Sequence, residues 1–201
     1  MSNNTEDEIK VILVGESGTG KTSLINATMG LKFQDILETT ATNSFSSKKI
    51  TINSKEYVLN LWDTIGQEKF RSLTKIFIKD SKIVLLVYDI TNKRSFNELD
   101  YWYKIIHDIL GDEPVIGVCG NKNDLITKEQ VKEEEAKKYA EEKNIAFKLT
   151  SAKNPLSFNK FLEDLVKKYV EKNGGGKVVH EESGGKINLN GDKKSEKKKC
   201  C

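Results

Sequence analysis

Residues 15–22 read Gly15-Glu16-Ser17-Gly18-Thr19-Gly20-Lys21-Thr22 and stand between two segments of contrasting pattern. The apolar run 9–14 before them predicts a buried strand, and residues 23–27 after them predict the start of a helix. A strand, a glycine-rich turn and a helix in this order form a phosphate-binding P-loop. Its successive backbone N–H groups and the helix N-terminus attract an anion.

The two residues that close this stretch carry the chemistry expected of a P-loop. Lys21 supplies a positive charge for β- and γ-phosphates, and the Thr22 hydroxyl can bind Mg²⁺. The alternative is a glycine-rich hairpin turn with an incidental lysine, and the flanking strand and helix argue against it. We therefore expect a nucleoside triphosphate as the ligand.

Size and composition limit the class of protein. The 201 residues suffice for one domain with a substantial core. The net charge of +3 is too small to indicate binding of nucleic acid, so no nucleic-acid partner is expected. The three cysteines form no disulfide framework, which favours a reducing compartment. No apolar run is long enough to span a bilayer, and the acidic N-terminus is unlike a signal peptide.

Short apolar runs alternate with amphipathic segments, a pattern typical of an α/β fold. We predict a six-stranded, mostly parallel sheet flanked by about five helices. Only the second and third strands should pair antiparallel, through a tight turn at Asn53-Ser54. The predicted strands lie near residues 9–14, 44–52, 56–62, 83–89, 115–120 and 145–149.

Two capping boxes are predicted at helix starts. Ser95 with Glu98 should open a helix over 95–110, and Thr127 with Gln130 should open the helix that runs through Ala140. Pro155 should open the last helix, whose apolar stripe and that of 95–110 read as core. The predicted core residues of these two helices are Phe96, Leu99, Trp102, Ile106, Ile109, Phe158, Phe161, Leu162, Leu165 and Tyr169.

The chain divides into three parts by composition. Residues 1–8 are predicted to be a flexible N-terminus, and residues 9–171 a folded domain. Residues 172–201 are rich in glycine, lysine and glutamate and cannot bury enough apolar surface to fold. We expect them to form a flexible tether of about 30 residues.

Three further polar clusters follow predicted strands. They are Asp63–Glu68 after the third strand, Asn121–Asp124 after the fifth and Thr150–Lys153 after the sixth. Ligands of open α/β sheets bind at the carboxyl ends of the strands, so these clusters should converge beside the P-loop. Any one of them is compatible with a solvated turn, but all of them in this order make coincidence a poor explanation.

The order and spacing of these motifs resemble the Ras superfamily of small GTPases, from Ile9 to Tyr169. The resemblance implies a P-loop NTPase G domain that binds GTP or GDP with Mg²⁺. Asp124 can accept both N–H donors of guanine, at N1 and the 2-amino group, and adenine does not present that pair. In the family, Asn121 braces the loops, the Lys122 stem packs on the base, and the Ala152 N–H contacts guanine O6.

The resemblance therefore implies a set of nucleotide-binding residues spread over the chain. Phe33 has the family spacing for an aromatic ring at the base edge, although an ordinary core phenylalanine remains the alternative. The implied set is Ser17, Gly18, Thr19, Gly20, Lys21, Thr22, Ser23, Phe33, Thr40, Gly66, Asn121, Lys122, Asp124, Ser151, Ala152 and Lys153.

Catalysis and switching are implied in the same way. The Mg²⁺ ligands would be Thr22, Thr40 and, through water, Asp63, and only spacing favours Thr40 over Thr39 as the switch threonine. The Gly66 N–H would contact the γ-phosphate, and Gln67 would be the catalytic residue that orients the attacking water. Loops held by the γ-phosphate and released on its loss form a two-state switch.

Hydrolysis without help is expected to be slow. The chain has two arginines, Arg71 and Arg94, and neither lies between the P-loop and Thr40, so an activating protein should supply one. Ile65 and Thr42 depart from the residues usual in the family. They leave a GTP-binding interaction module with negligible hydrolysis as the alternative. A P-loop kinase or ATPase is a more distant alternative, which Asp124 disfavours.

Within the superfamily, residues 62–73 and 86–91 resemble the Rab branch. Phe45, Trp62 and Phe77 match its aromatic effector positions, and the alternative for Trp62 and Phe77 is a core role. The terminal pair Cys200 and Cys201 is similar to the Rab signal for two geranylgeranyl groups, which together give stable membrane anchoring. A disulfide, a metal site or a tag remnant are the alternatives for this pair.

The resemblance implies a monomeric, membrane-anchored GTP/GDP switch that regulates vesicle and intracellular protein transport. Its expected place is the cytoplasmic face of endomembranes, with a soluble cytosolic pool. Its expected partners are an exchange factor, a GTPase-activating protein, effectors, a GDP-dissociation inhibitor and a prenylation escort.

Overall fold

The computed structural model of the protein describes residues 7–34, 44–64 and 71–173. Within these ranges, strands and helices alternate along the chain as the sequence predicts. The elements are β1 (Asp7–Val14), α1 (Lys21–Thr28), β2 (Ser44–Ile52), β3 (Lys55–Asp63), α2 (Arg71–Ile78), β4 (Ile83–Asp89), α3 (Lys93–Asn97), α4 (Leu99–Leu110), β5 (Val115–Asn121), a 3₁₀ turn (Asn123–Lys128), α5 (Glu133–Glu142), β6 (Ala146–Leu149) and α6 (Leu156–Asn173).

The six strands form one sheet in the order β2-β3-β1-β4-β5-β6. Only β2 and β3 pair antiparallel, and every other neighbouring pair is parallel. The turn between β2 and β3 places Asn53 and Ser54 at φ 50° and 63°, the left-handed conformations that a two-residue hairpin requires. The predicted α/β class and strand pairing are confirmed.

Helices cover both faces of the sheet, so its central strands are buried on two sides. All seven residues of β4 are buried, as expected of a continuous apolar run in a parallel sheet. On one face α6 packs Phe158, Phe161 and Leu165 against the sheet, and on the other α4 packs Trp102 and Ile106. The core therefore holds the strand ends rigidly in place.

The predicted helix over 95–110 is instead two helices, α3 and α4. Asn92 caps α3 by accepting hydrogen bonds from the backbone N–H groups of Arg94 and Ser95. The Ser95 hydroxyl turns away and donates to the Asn92 carbonyl at 2.7 Å. The predicted Ser95–Glu98 capping box is therefore wrong, because the Ser95 N–H already donates to Asn92 and the Glu98 N–H donates to the Arg94 carbonyl at 3.1 Å.

The predicted capping box of Thr127 and Gln130 is also wrong. Thr127 lies in the 3₁₀ turn, and α5 begins at Glu133 without a side-chain cap. The reason is that the Ile90 carbonyl accepts from the backbone N–H groups of Gln130 and Val131, at 2.7 and 3.1 Å. These bonds hold the intervening chain against the end of β4.

Core positions and element ends differ slightly from prediction. Ile109 and Tyr169 are only half-buried, while Ile105 is buried. Strand β1 begins two residues before the predicted strand start at Ile9. Helix α6 continues two residues beyond residue 171, the predicted end of the folded domain. Residues 174–201, with Cys200 and Cys201, lie outside the described residues. None of the helices in the described ranges combines the length and apolar character needed to cross a bilayer.

Candidate functional site

The segments that follow β1, β3, β5 and β6 all leave the sheet at the carboxyl ends of parallel strands. This edge is where ligands of open α/β sheets bind. Hydrogen bonds join the segments to one another. Asn121 Nδ2 donates to the Thr19 carbonyl at 2.8 Å, and the Asn123 N–H donates to the Thr150 carbonyl at 3.0 Å. The predicted convergence of the motifs is therefore present for β1, β5 and β6.

Glycine conformation shapes the loop between β1 and α1. Gly15, Gly18 and Gly20 have φ values of 148°, 75° and 90°, which residues with a Cβ atom rarely adopt. A Cβ atom on Gly15 would lie 2.1 Å from the Val87 carbonyl oxygen, and one on Gly20 would lie 2.4 Å from Asn121 Nδ2. The loop thus depends on glycine both for its turns and for its contact with neighbouring strands.

Lys21 closes the loop from inside. Its Nζ donates to the carbonyls of Gly15 and Glu16, both at 2.9 Å, and its side chain is buried. Burial lowers the pKa of the Lys21 ammonium to about 8, although the charges of Asp63 and Glu16 oppose this change. A bound anion would offset the desolvation of this cation, so the loop fits a phosphate group.

The start of α1 supports the same interpretation. Gly20 occupies the N-cap position and supplies no side-chain hydrogen bond to the helix N-terminus. No acidic residue lies in the first turn of α1. The end of the helix that attracts anions is therefore not neutralised by its own side chains.

Thr22 and Asp63 form the oxygen pair expected for a metal. The Thr22 hydroxyl donates to Asp63 Oδ2 at 2.6 Å, and Asp63 is buried at the end of β3. Hydroxyl and carboxylate oxygens are the donors that Mg²⁺ prefers, so their chemistry fits this ion. Within the described ranges, no group of three or more His, Cys, Asp or Glu side chains suits a metal ion.

The other half of the site holds the predicted base-reading residues. The Ser151 hydroxyl donates to Asp124 Oδ1 at 2.6 Å, and Lys153 Nζ lies 3.7 Å from Asp124 Oδ2. Ala152 is buried beside them. The loops after β5 and β6 therefore fix the Asp124 carboxylate in one orientation.

Phe33 lies at the surface beside this half of the site. Its side chain is exposed, and Lys153 Nζ lies 5.0 Å from the centre of its ring. A core role for Phe33 is thereby excluded, and its place against the edge of a bound base stays a prediction.

The remaining predicted residues are placed less tightly or lie outside the description. Ser17 is exposed at the tip of the loop and Ser23 is half-buried on α1. The switch and catalytic residues of the prediction, Thr40, Gly66 and Gln67, lie outside the described residues.

Two buried polar residues at this edge received no role of their own in the sequence analysis. The Thr64 hydroxyl donates to the Leu13 carbonyl at 2.6 Å and ties the chain after β3 to the end of β1. Asp89 is the last residue of β4, and its Oδ2 atom lies 2.7 Å from Lys122 Nζ. A signal for Asp89 was present, because a lone acidic residue ends an otherwise apolar strand at the ligand-binding edge.

An aromatic surface lies beside the β2–β3 hairpin and consists of Phe45, Trp62 and Phe77. The ring centres of Phe45 and Trp62 are 5.2 Å apart and those of Trp62 and Phe77 are 5.8 Å apart. Phe45 is 58% exposed, whereas Trp62 and Phe77 are half-buried. A continuous row of partly exposed rings is typical of a protein-binding surface.

Comparisons with known proteins agree with this geometry. Residues 10–171 match the Ras family. The chain is 35% identical over 196 residues to the Ras-related protein SEC4 of Saccharomyces cerevisiae, covering 96% of this chain and 91% of that protein. It is 40% identical over 162 residues to the Ras-related protein Rab-21 of Homo sapiens, covering 81% of this chain and 72% of that protein. Rab-21 of Geodia cydonium is 38% identical over 164 residues, which is 82% of this chain and 72% of that protein.

Proposed function

The chain belongs to the Ras family as a Rab-like small GTPase, and from this we propose that it is a GTP/GDP switch in vesicle transport. The observation that carries the proposal is the hydrogen bond from Asn121 to the Thr19 carbonyl. It joins the loop that fits phosphate to the loop that carries Asp124. One ligand with a base at one end and phosphates at the other would satisfy both.

The proposed phosphate site is the loop of residues 15–20 together with Lys21. Its glycines leave the backbone N–H groups accessible, and Lys21 supplies the charge. Asp124 would accept two N–H donors of guanine while Ser151 and Lys153 hold it in place. Adenine would leave that carboxylate without donors from the base, which should lower affinity by about a thousandfold and favours guanine nucleotides.

Thr22 and Asp63 are proposed to hold Mg²⁺, with Thr40 as a further ligand. A bound Mg²⁺ ion would supply positive charge that neutralises phosphate oxygens during hydrolysis. Gly66 and Gln67 are proposed to position the γ-phosphate and the attacking water. The products would be GDP and phosphate, and release of the switch loops would follow.

Single-turnover hydrolysis of radiolabelled GTP tests this function. We expect a rate well below about one per minute, because the chain has no arginine between the P-loop and Thr40 that could stabilise the charge of the transition state. A Gln67→Ala variant should be slower still and should keep its affinity for GTP. A GTP-binding interaction module predicts instead no hydrolysis above the Gln67→Ala background, even with an activating protein.

Effector binding and anchoring complete the proposal. The aromatic surface is proposed to bind effectors, with an exchange factor, an activating protein, a GDP-dissociation inhibitor and a prenylation escort as further partners. Lipid attachment at Cys200 and Cys201 is proposed to hold the chain at endomembranes. Intact mass of protein from its native cell should increase by two geranylgeranyl groups, and a Cys200→Ser/Cys201→Ser variant should lose that increase.

A further inference from the structure

Asp89 is a buried carboxylate beside the proposed base site that the proposed function does not use. We propose that Asp89 is a positioning residue, which holds Lys122 across the site so that the lysine stem covers one face of the bound base. The inference rests on the proposed nucleotide binding and adds a residue on which the lifetime of the nucleotide complex depends.

Both oxygens of the Asp89 carboxylate are engaged. Oδ2 pairs with Lys122 Nζ at 2.7 Å. Oδ1 accepts from the backbone N–H and from the hydroxyl of Thr91, both at 2.8 Å. The residue is 7% exposed, so a rotation of the carboxylate would break three charge-assisted contacts in a place that water scarcely reaches.

The backbone of Asp89 is fixed from two directions. Its N–H donates to the Ser95 hydroxyl at 3.0 Å, and Ser95 is itself buried on α3. Its partner in the pairing of β4 with β5 is Asn121, and the Ile90 N–H donates to the Asn121 carbonyl at 3.1 Å. The carboxylate is therefore mounted on the same rigid strand pair that carries Asn121 and Lys122.

Lys122 needs such a partner to stay in place. Its backbone has φ 65° and ψ 34°, a left-handed conformation that is uncommon for lysine and that lies at functional sites more often than elsewhere. Its side chain is 34% exposed. A lysine with a flexible four-carbon stem and a strongly hydrated charge would otherwise turn toward solvent.

The path of the lysine stem connects the two halves of the site. Lys122 Cε lies 4.0 Å from the position of a Cβ atom on Gly20, so the stem runs from the end of β5 past the phosphate loop toward Asp89 at the end of β4. Asp124 has its own partners in Ser151 and Lys153. The two carboxylates thus have separate roles in the proposed site. Asp124 would face the edge of the base, and Asp89 holds Lys122.

Dissociation of a fluorescent GDP analogue from the full chain in Mg²⁺ tests the inference. Asp89→Asn keeps the shape and one acceptor oxygen but places an amide against the lysine ammonium. We expect dissociation to become about tenfold faster, the effect of losing one charge-assisted hydrogen bond. Asp100→Asn is the matched control, since Asp100 lies on α4 and pairs with Lys143 at 2.9 Å. This variant should leave the dissociation rate unchanged.

A double-mutant cycle separates positioning from a merely structural role. If Asp89 acts through Lys122, then Asp89→Asn adds no further acceleration to a Lys122→Met variant. Accelerations that multiply, or a rate for Asp89→Asn within twofold of the unmodified chain, would overturn the inference. Absence of GDP binding by the unmodified chain would instead refute the proposed function, so the two failures are distinguishable.

Discussion

The loop after β1 and the loops after β5 and β6 build their halves of the proposed site in different ways. In residues 15–20 the backbone makes the site, since Gly15, Gly18 and Gly20 adopt turns that other residues avoid. In the loops after β5 and β6 side chains make it, through Asn121, Asp124 and Ser151. A backbone site recognises phosphate, which every nucleotide shares, whereas a side-chain site can distinguish one base from another.

Substitutions in the two kinds of loop should have different consequences. A change in the glycine loop should remove the fold or all nucleotide binding. A change in the side-chain loops should weaken or alter recognition of the base while the protein stays folded.

The largest effect is expected from Gly15→Ala. The new methyl group would meet the Val87 carbonyl oxygen at 2.1 Å, inside the fully buried strand β4. We expect the free energy of unfolding in urea to fall by more than about 4 kcal/mol, or the protein not to fold. Gly18→Ala is the matched control, because nothing lies within 4 Å of its Cβ position. Its cost should be only about 1 kcal/mol, from the left-handed backbone.

Lys21→Met should abolish tight binding of any nucleotide. The variant removes about two charge-assisted hydrogen bonds to phosphate, so affinity for GTP should fall about a thousandfold by calorimetry. The thermal unfolding temperature without nucleotide should be unchanged or slightly raised, because methionine fills the space without a buried charge. A loss of affinity for GTP with unchanged affinity for GDP would contradict a role of Lys21 in binding every nucleotide.

Asp124→Asn should change the preferred base. An asparagine oxygen can accept the N1–H of xanthine and its amide can donate to the xanthine O2, whereas guanine offers the amide a second donor. We expect affinity for GDP to fall about a hundredfold and affinity for xanthosine diphosphate to rise above it. Competition between the two nucleotides measures the preference, and an equal loss of both would show that Asp124 is only structural.

The smallest effect is expected from Ser151→Ala, which removes the hydroxyl that donates to Asp124 at 2.6 Å. Asp124 keeps Lys153 at 3.7 Å, so the carboxylate is loosened and not lost. Affinity for GDP should fall only about three- to tenfold, and the choice of guanine over xanthine should persist. A reversal of base preference would assign Ser151 a direct part in reading the base.

Strand pairing and the placement of the motifs could be predicted from the sequence because they depend on patterns along the chain. Apolar runs such as β4 and the turn at Asn53-Ser54 report local burial and backbone conformation. The parallel pairing then places Lys21 and Asn121 at the same edge of the sheet.

Helix starts and paired charges could not be predicted in this way because they depend on competing partners. Ser95 carries the right side chain for a cap, but Asn92 takes that role and the Ser95 hydroxyl bonds elsewhere. Asp89 and Lys122 are 33 residues apart in number, and nothing between them in the sequence signals that their side chains meet. Such pairs emerge only when the strands are set side by side.

Calorimetric titration of nucleotide-free protein with GDP and with ADP, each in Mg²⁺ and in a chelator, tests guanine recognition most directly. We predict tight uptake of GDP that weakens when Mg²⁺ is removed, and affinity for ADP lower by at least about a thousandfold. Equal affinities for GDP and ADP would contradict the role of Asp124 and with it the proposed switch.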